Sequence, residues 1–192
     1  MGGQLSEGGG TVDSVSRLLG RSPVQLERAA ARLAPDGHGL TVLPYVHGER
    51  GLGYHDGARG VVAGLATGVD AAALYRAFLE AVAYRFAALD ERLAALLGGP
   101  PAITASGGAL ARSPLWAQIV ADALGRDMAL APGVEASCRG AALLALRGAA
   151  LLDDLEATPG PRTRTIRFDP ERAASYRAGR VRQEGLYADL LN

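Results

Sequence analysis

Residues 104–125 read TASGGALARSPLWAQIVADALG, and the order of signals in this stretch decides the fold class. A short β-prone run, Ala102–Ala105, ends in the pair Gly107–Gly108, where a chain without side chains turns sharply and lets another group approach its backbone. Ser113–Pro114 is the pattern of a helix N-cap followed by proline at the first helical position. Trp116, Ile119, Val120, Ala123 and Leu124 then recur at helical spacing, and Gly125 supplies the stop. Strand, glycine turn and capped helix in succession are the unit from which α/β layers are built.

The same grammar extends both ways. Downstream, Met128–Ala131 reads as a strand closed by Pro132, and residues 136–150 as a helix rich in alanine and leucine. Residues 157–165 are a polar connection, and Pro170–Leu191 is an arginine-rich surface helix with Tyr176, Tyr187 and Leu190 as docking points. Upstream, residues 70–97 form the clearest helix. Leu74, Phe78, Val82, Phe86, Leu89, Leu93 and Leu96 follow steps of three and four, and the many alanines between them predict burial on more than one side. Arg76 and Glu80, four apart, are expected to pair on its exposed strip, with Glu80 and Tyr84 as simple helix-face residues. Before it come two short helices, Val12–Leu19 and Pro23–Leu33. Strands follow at Leu40–Pro44 and Val61–Leu65, with a glycine-rich loop of residues 45–60 between them. The expectation is an α/β fold with a partly parallel sheet, its ligands at the carboxyl ends of strands.

Composition narrows the function classes. The chain has 192 residues, enough to bury roughly 70% of its unfolded surface. Twenty basic and twenty acidic residues balance, which argues against a general nucleic-acid binder. Every basic residue is arginine, so no lysine-based phosphate loop comes from this chain. One cysteine, Cys138, excludes an internal disulfide framework and is expected to be a small buried thiol. No apolar run is long enough to span a membrane, and MGGQLSEGGG lacks the order of a signal peptide, so the expectation is a cytoplasmic protein.

Two segments are candidates for chemistry. The turn at 106–113 suits an adenosine or phosphate group lying against free helix N–H groups, although a bare strand-to-helix turn has the same pattern. The loop HGERGLGYHDGARG gathers His47, Glu49, Arg50, His55, Asp56 and Arg59. Its spacing matches no standard zinc pattern, so no metal is expected there, and a solvated loop tied by arginine–carboxylate pairs is the simpler reading.

Five stretches in this order carry a resemblance: GGQLSEGGGTVDSV, LPYVHGERGLGYHDGARGVVAGLATG, LYRAFLEAVAYRF, ASGGALARSPLWAQIVADALG and EASCRGAALLAL. Together they resemble the C-terminal half of the FGGY carbohydrate kinases, especially gluconokinase-like and xylulokinase-like members, over about residues 1–150. The resemblance implies an actin-like, ribonuclease H-like ATPase domain, a mixed sheet flanked by helices that lacks its first strands. It would comprise residues 1–156, a connection at 157–169 and a closing helix at 170–192 packed on the same domain. It implies nucleotide contacts from Gly9 and Asp13 and from Gly107, Gly108 and Arg112, and a cleft loop shaped by Glu49, Asp56 and Arg59. Gly51–Tyr54 departs from the commoner Pro- and Trp-containing form of that loop.

The cofactor so implied is ATP or ADP with Mg2+, and the substrate a sugar or sugar acid such as gluconate. The preceding kinase domain would be the partner, in the same chain or separate, without nucleic acid or membrane; a homo-oligomer is compatible. Family members are more than twice as long, and their catalytic aspartate and phosphate-holding hairpin would precede Met1. No catalytic residue is therefore assigned here, and this chain alone is expected to be inactive. A non-catalytic interaction module that keeps the domain fold is the alternative.

Overall fold

The computed structural model describes residues 3–131 and 135–191. The expected strand stop at Pro132 and the first glycine of the opening motif, Gly2, lie outside the described residues. Among the described residues seven helices and five short strands follow one another: α1 (Gly9–Leu18), α2 (Pro23–Ala30), β1 (Thr41–Leu43), β2 (Val61–Ala63), α3 (Ala71–Leu97), β3 (Thr104–Ser106), α4 (Gly108–Arg112), α5 (Pro114–Leu124), β4 (Met128–Ala131), α6 (Ala136–Gly148), β5 (Arg164–Ile166) and α7 (Pro170–Leu191).

The helix boundaries follow from capping chemistry. Ser22 and Gln25 form a reciprocal capping box at the start of α2, with Pro23 in the first turn. Asp70 accepts the N–H of Ala73 at 2.8 Å to open α3, which Gly98 closes at φ +74°. Ser113 caps α5 through the N–H of Trp116, and Gly125 ends it at φ +68°.

β3 and β4 pair in parallel, Thr104 opposite Ala129 and Ser106 opposite Ala131. β5 adds antiparallel to β4, with Met128 opposite Ile166. The polar composition of residues 157–165 predicts only a connection, and β5 corrects that: an exposed edge strand carries no apolar alternation to betray it. β1 and β2 form a separate antiparallel pair joined by the long glycine-rich loop. The glycine turn itself tightens into α4, a helix of one turn.

The core is built round α3. Tyr75, Leu79 and Val82 of α3 are buried with Trp116 and Ile119 of α5, Leu26 of α2, Val42 of β1 and Tyr176 of α7. Each such side chain stabilises the fold by about 1.5–3 kcal/mol. Buried alanines on both α3 (Ala77, Ala81) and α5 (Ala117, Ala121) allow the two axes to approach closely. Burial therefore extends round α3 as its alanine content predicts.

The expected exposed strip of α3 is instead buried. Arg76 and Glu80 are 3% and 1% exposed, joined Nε to Oε1 at 2.6 Å. The Arg76 guanidinium also donates to the carbonyls of Ala30 and Leu33 and to the Tyr176 hydroxyl. Glu80 further accepts from the Asp36 N–H and the Tyr84 hydroxyl and meets His38 Nε2 at 3.0 Å. The sequence periodicity places this face correctly on α3, but α2, α7 and the segment before β1 all converge on it.

α7 is tied to the centre. Buried Gln183 donates to the carbonyls of Val42 in β1, 2.8 Å away, and Ala81 in α3. Tyr176 is buried and Tyr187 half-buried, whereas Leu190 points outward at 53% exposure and is not a docking point. α6 buries no residue, and Cys138 on it is exposed rather than buried. No helix among the described residues is long and apolar enough to cross a membrane.

Candidate functional site

Two segments far apart in sequence meet at their helix starts. Gly9, in the first turn of α1, faces α4 so closely that a Cβ on it would stand 3.0 Å from the Ala109 Cβ. Below this contact lies a cavity of about 240 Å³. Gly9 and Asp13 line it from α1, Glu27 from α2 and Arg112 from α4, with Tyr75 and Trp116 forming its buried floor. Trp116 is locked in place by an Nε1–H bond to the Leu79 carbonyl at 3.1 Å.

The glycine turn leads into α4, whose Ala109 and Arg112 line this cavity. Gly107 has φ +115°, a conformation that side-chain-bearing residues avoid. At Gly108 a Cβ would meet the Arg112 guanidinium, with Nη1 only 2.7 Å away, so Arg112 folds back across the turn. Among the described residues Arg112 has neither an ion-pair partner nor a side-chain hydrogen bond. Asp13, also exposed, pairs with no cation. The structure thus brings Gly9, Asp13, Gly107, Gly108 and Arg112 to one place.

Glu27, Tyr75 and Trp116 were not foreseeable as site residues. Each sits in a helix whose pattern reads as ordinary packing, and only the convergence of α1, α2 and α4 assembles them. Glu27 Oε1 accepts the N–H of Leu115 at 3.1 Å, tying α2 to the start of α5. Burial raises the Tyr75 phenol to about 12, and the nearby Glu27 and Asp13 carboxylates add to the shift.

The loop between β1 and β2 does not reach this cavity: none of Glu49, Asp56 and Arg59 lines it. Its organiser is Glu49, fully buried, which accepts the N–H groups of Gly51, Gly53 and His55 and lies 3.8 Å from the Arg85 guanidinium. Burial opposes its charge, but those backbone donors and Arg85 outweigh burial and lower its pKa. Asp56 pairs with Arg50 on the surface, and Arg59 donates to the carbonyls of Gly57 and Ala58. Beside Glu49 lies Glu7, 3% exposed, neither carboxylate oxygen of which has a hydrogen-bond partner. Burial raises its pKa, with its own backbone N–H and Arg85 opposing.

The described residues bring three metal-capable side chains together at Asp36, His38 and Glu80. Arg76 and Arg182 already pair with the two carboxylates, so a cation there would meet two positive charges. The group is an internal ion-pair network, outside the cavity.

The model of the FGGY family of carbohydrate kinases, C-terminal domain, matches residues 5–149. The chain belongs to the FGGY family of carbohydrate kinases. The gluconokinase of Bacillus subtilis strain 168 is 30% identical over 169 residues, covering 86% of this chain and 33% of the relative. The glycerol kinase of Aromatoleum aromaticum is 32% identical over 182 residues, covering 93% of the chain and 36% of that relative. This FGGY chain thus spans about a third of the length of such relatives. Among solved structures, the xylulose kinase from Rhodospirillum rubrum superposes with a TM-score of 0.83 at 32% identity, over 97% of this chain and 38% of that one. The gluconate kinase from Lactobacillus acidophilus, at 23% identity, shares the fold with a TM-score of 0.86. The FGGY kinases place the fold among actin-like ATPase domains, and the mixed sheet flanked by helices accords with that class.

Proposed function

We propose that this chain is the nucleotide-binding part of an ATP-dependent kinase that phosphorylates a hydroxyl of a sugar or sugar acid such as gluconate. The observation that carries this is the meeting of α1 and α4: Gly9, Asp13 and Arg112, from two distant motifs, line one cavity with two buried aromatic residues in its wall. The nucleoside lies between Asp13 and Arg112, and the phosphates run toward Gly107 and Gly108. Magnesium accompanies the phosphates, and no described residue is assigned to it. Arg112, which has no ion-pair partner among the described residues, lies over the turn and neutralises phosphate charge.

The remaining parts of phosphoryl transfer, a base for the sugar hydroxyl and the sugar pocket, come from a partner domain absent from these residues. The 192-residue chain therefore binds nucleotide without turning it over. The test is calorimetric titration of ADP with MgCl2 into the chain and into Gly108→Trp, whose indole would fill the turn. Saturable binding lost in the variant supports the reading. Absence of ADP binding by the folded chain would overturn it, and kinase turnover by the chain alone would overturn the division of labour.

A further inference from the structure

We propose that Glu27 selects the base of the bound nucleotide, favouring a purine with an amino group at C6 over one with a carbonyl there. The inference rests on the cavity being the nucleotide site.

Glu27 is held rigidly. Its helix begins in the Ser22–Gln25 capping box and is pinned by buried Leu26 and Ala30. Its Oε1 is committed to the N–H of Leu115, a bond that orients the whole carboxylate. Oε2 has no hydrogen-bond partner among the described residues and is not sealed from solvent, so it is available to a ligand in the cavity it lines.

The chemistry of the walls is one-sided. Asp13 and Glu27 offer only acceptors, and Arg112 only donors. The two carboxylates come from α1 and α2, whereas the Arg112 guanidinium lies folded over Gly108 at the glycine turn. Phosphates are repelled from the carboxylate end and drawn to Arg112 and the glycine turn, so the nucleoside end of the ligand faces Glu27. Between base and ribose, the apolar lining from Val12, Val24 and Ala109 favours the base. An ionised carboxylate accepts a hydrogen bond from an exocyclic amino group. Against a carbonyl at the same position it presents a second acceptor, and both groups are desolvated without a partner.

The decisive substitution is Glu27→Gln. It keeps a carbonyl oxygen for Leu115 and puts a donor where the free oxygen was. ADP, IDP and 2′-deoxy-ADP, each with MgCl2, are titrated into the chain and the variant, with unfolding midpoints measured beside them. The unaltered chain is expected to prefer ADP to IDP by about tenfold or more. Glu27→Gln is expected to bring that ratio to about one or to invert it, at an unchanged midpoint. Equal binding of ADP and IDP by the unaltered chain overturns the proposal without any variant. It is also overturned if the variant keeps the ratio, or weakens both nucleotides equally as a purely structural role would. A change confined to the ADP to 2′-deoxy-ADP ratio assigns Glu27 to the ribose and overturns base selection. Failure of ADP itself to bind overturns the nucleotide reading, a result distinct from all of these.

Discussion

Replacing Glu80 with alanine is expected to cost more stability than any other single change in α3. The carboxylate is 1% exposed and answers four groups at once: Arg76, His38, the Asp36 N–H and the Tyr84 hydroxyl. Without it, Arg76 keeps its bonds to Ala30, Leu33 and Tyr176 but loses its one ion-pair partner among the described residues. A buried charge stripped of its partner costs about 3–5 kcal/mol. For a chain of this length each kcal/mol shifts the unfolding midpoint by roughly 2–4 °C, so a fall on the order of 10 °C is expected. The assay is thermal unfolding, with urea unfolding for the free energy, followed by the fluorescence of the single tryptophan, Trp116, which is 2% exposed and packs against the same helix. The double variant Arg76→Met, Glu80→Leu removes both charges and is expected to lose less than Glu80→Ala alone. A loss below about 1 kcal/mol for Glu80→Ala, or a double variant as costly as the sum of its parts, would refute the reasoning.

Other perturbations probe the loop and α6. Gly53→Ala places a methyl group on the Tyr187 hydroxyl and 2.9 Å from the His55 ring. It should destabilise the loop by about 1–3 kcal/mol, read as faster tryptic cleavage after exposed Arg50; an unchanged cleavage rate would count against the packing described. The Glu7 and Glu49 carboxylates should show opposite pH dependence. The folded pKa of Glu7 lies above its ordinary value, so the stability it contributes is complete at low pH and is lost as pH rises through that value. Glu7→Gln is therefore expected to stabilise the chain at pH 8 more than at pH 4. Glu49 is depressed, so its contribution is present above the ordinary carboxylate range and is lost on acidification, and Glu49→Gln should cost less stability at pH 3 than at pH 7. Urea midpoints across that range check both signs. Cys138 should react with an aqueous thiol reagent in the folded state at a rate close to that of the unfolded chain.

The layer order was legible because its signals are local. Ser113 announces its helix and Gly125 ends it, through contacts within a turn. The glycines of the proposed site were visible for the same reason: Gly9 and Gly108 stand where a Cβ would meet the Ala109 side chain and the Arg112 guanidinium. Glu27 was not, since its partner Leu115 lies 88 positions away. The Arg76–Glu80 pair has the spacing of a surface ion pair, and only the arrival of α2 and α7 turns it into a core element. Cys138 failed in the other direction. Its alanine-rich surroundings suggest burial, yet α6 meets no covering layer among the described residues.

The bond from Gln183 to Val42 joins residues 141 positions apart. A ribosome adding about 5–20 residues per second needs roughly 7–28 s to make that length of chain. For that interval β1 has been synthesised while the helix that clasps it has not. Until α7 emerges, the growing polypeptide holds an unfinished apolar surface around β1, so this part of the fold closes only after a long stretch of chain has been made.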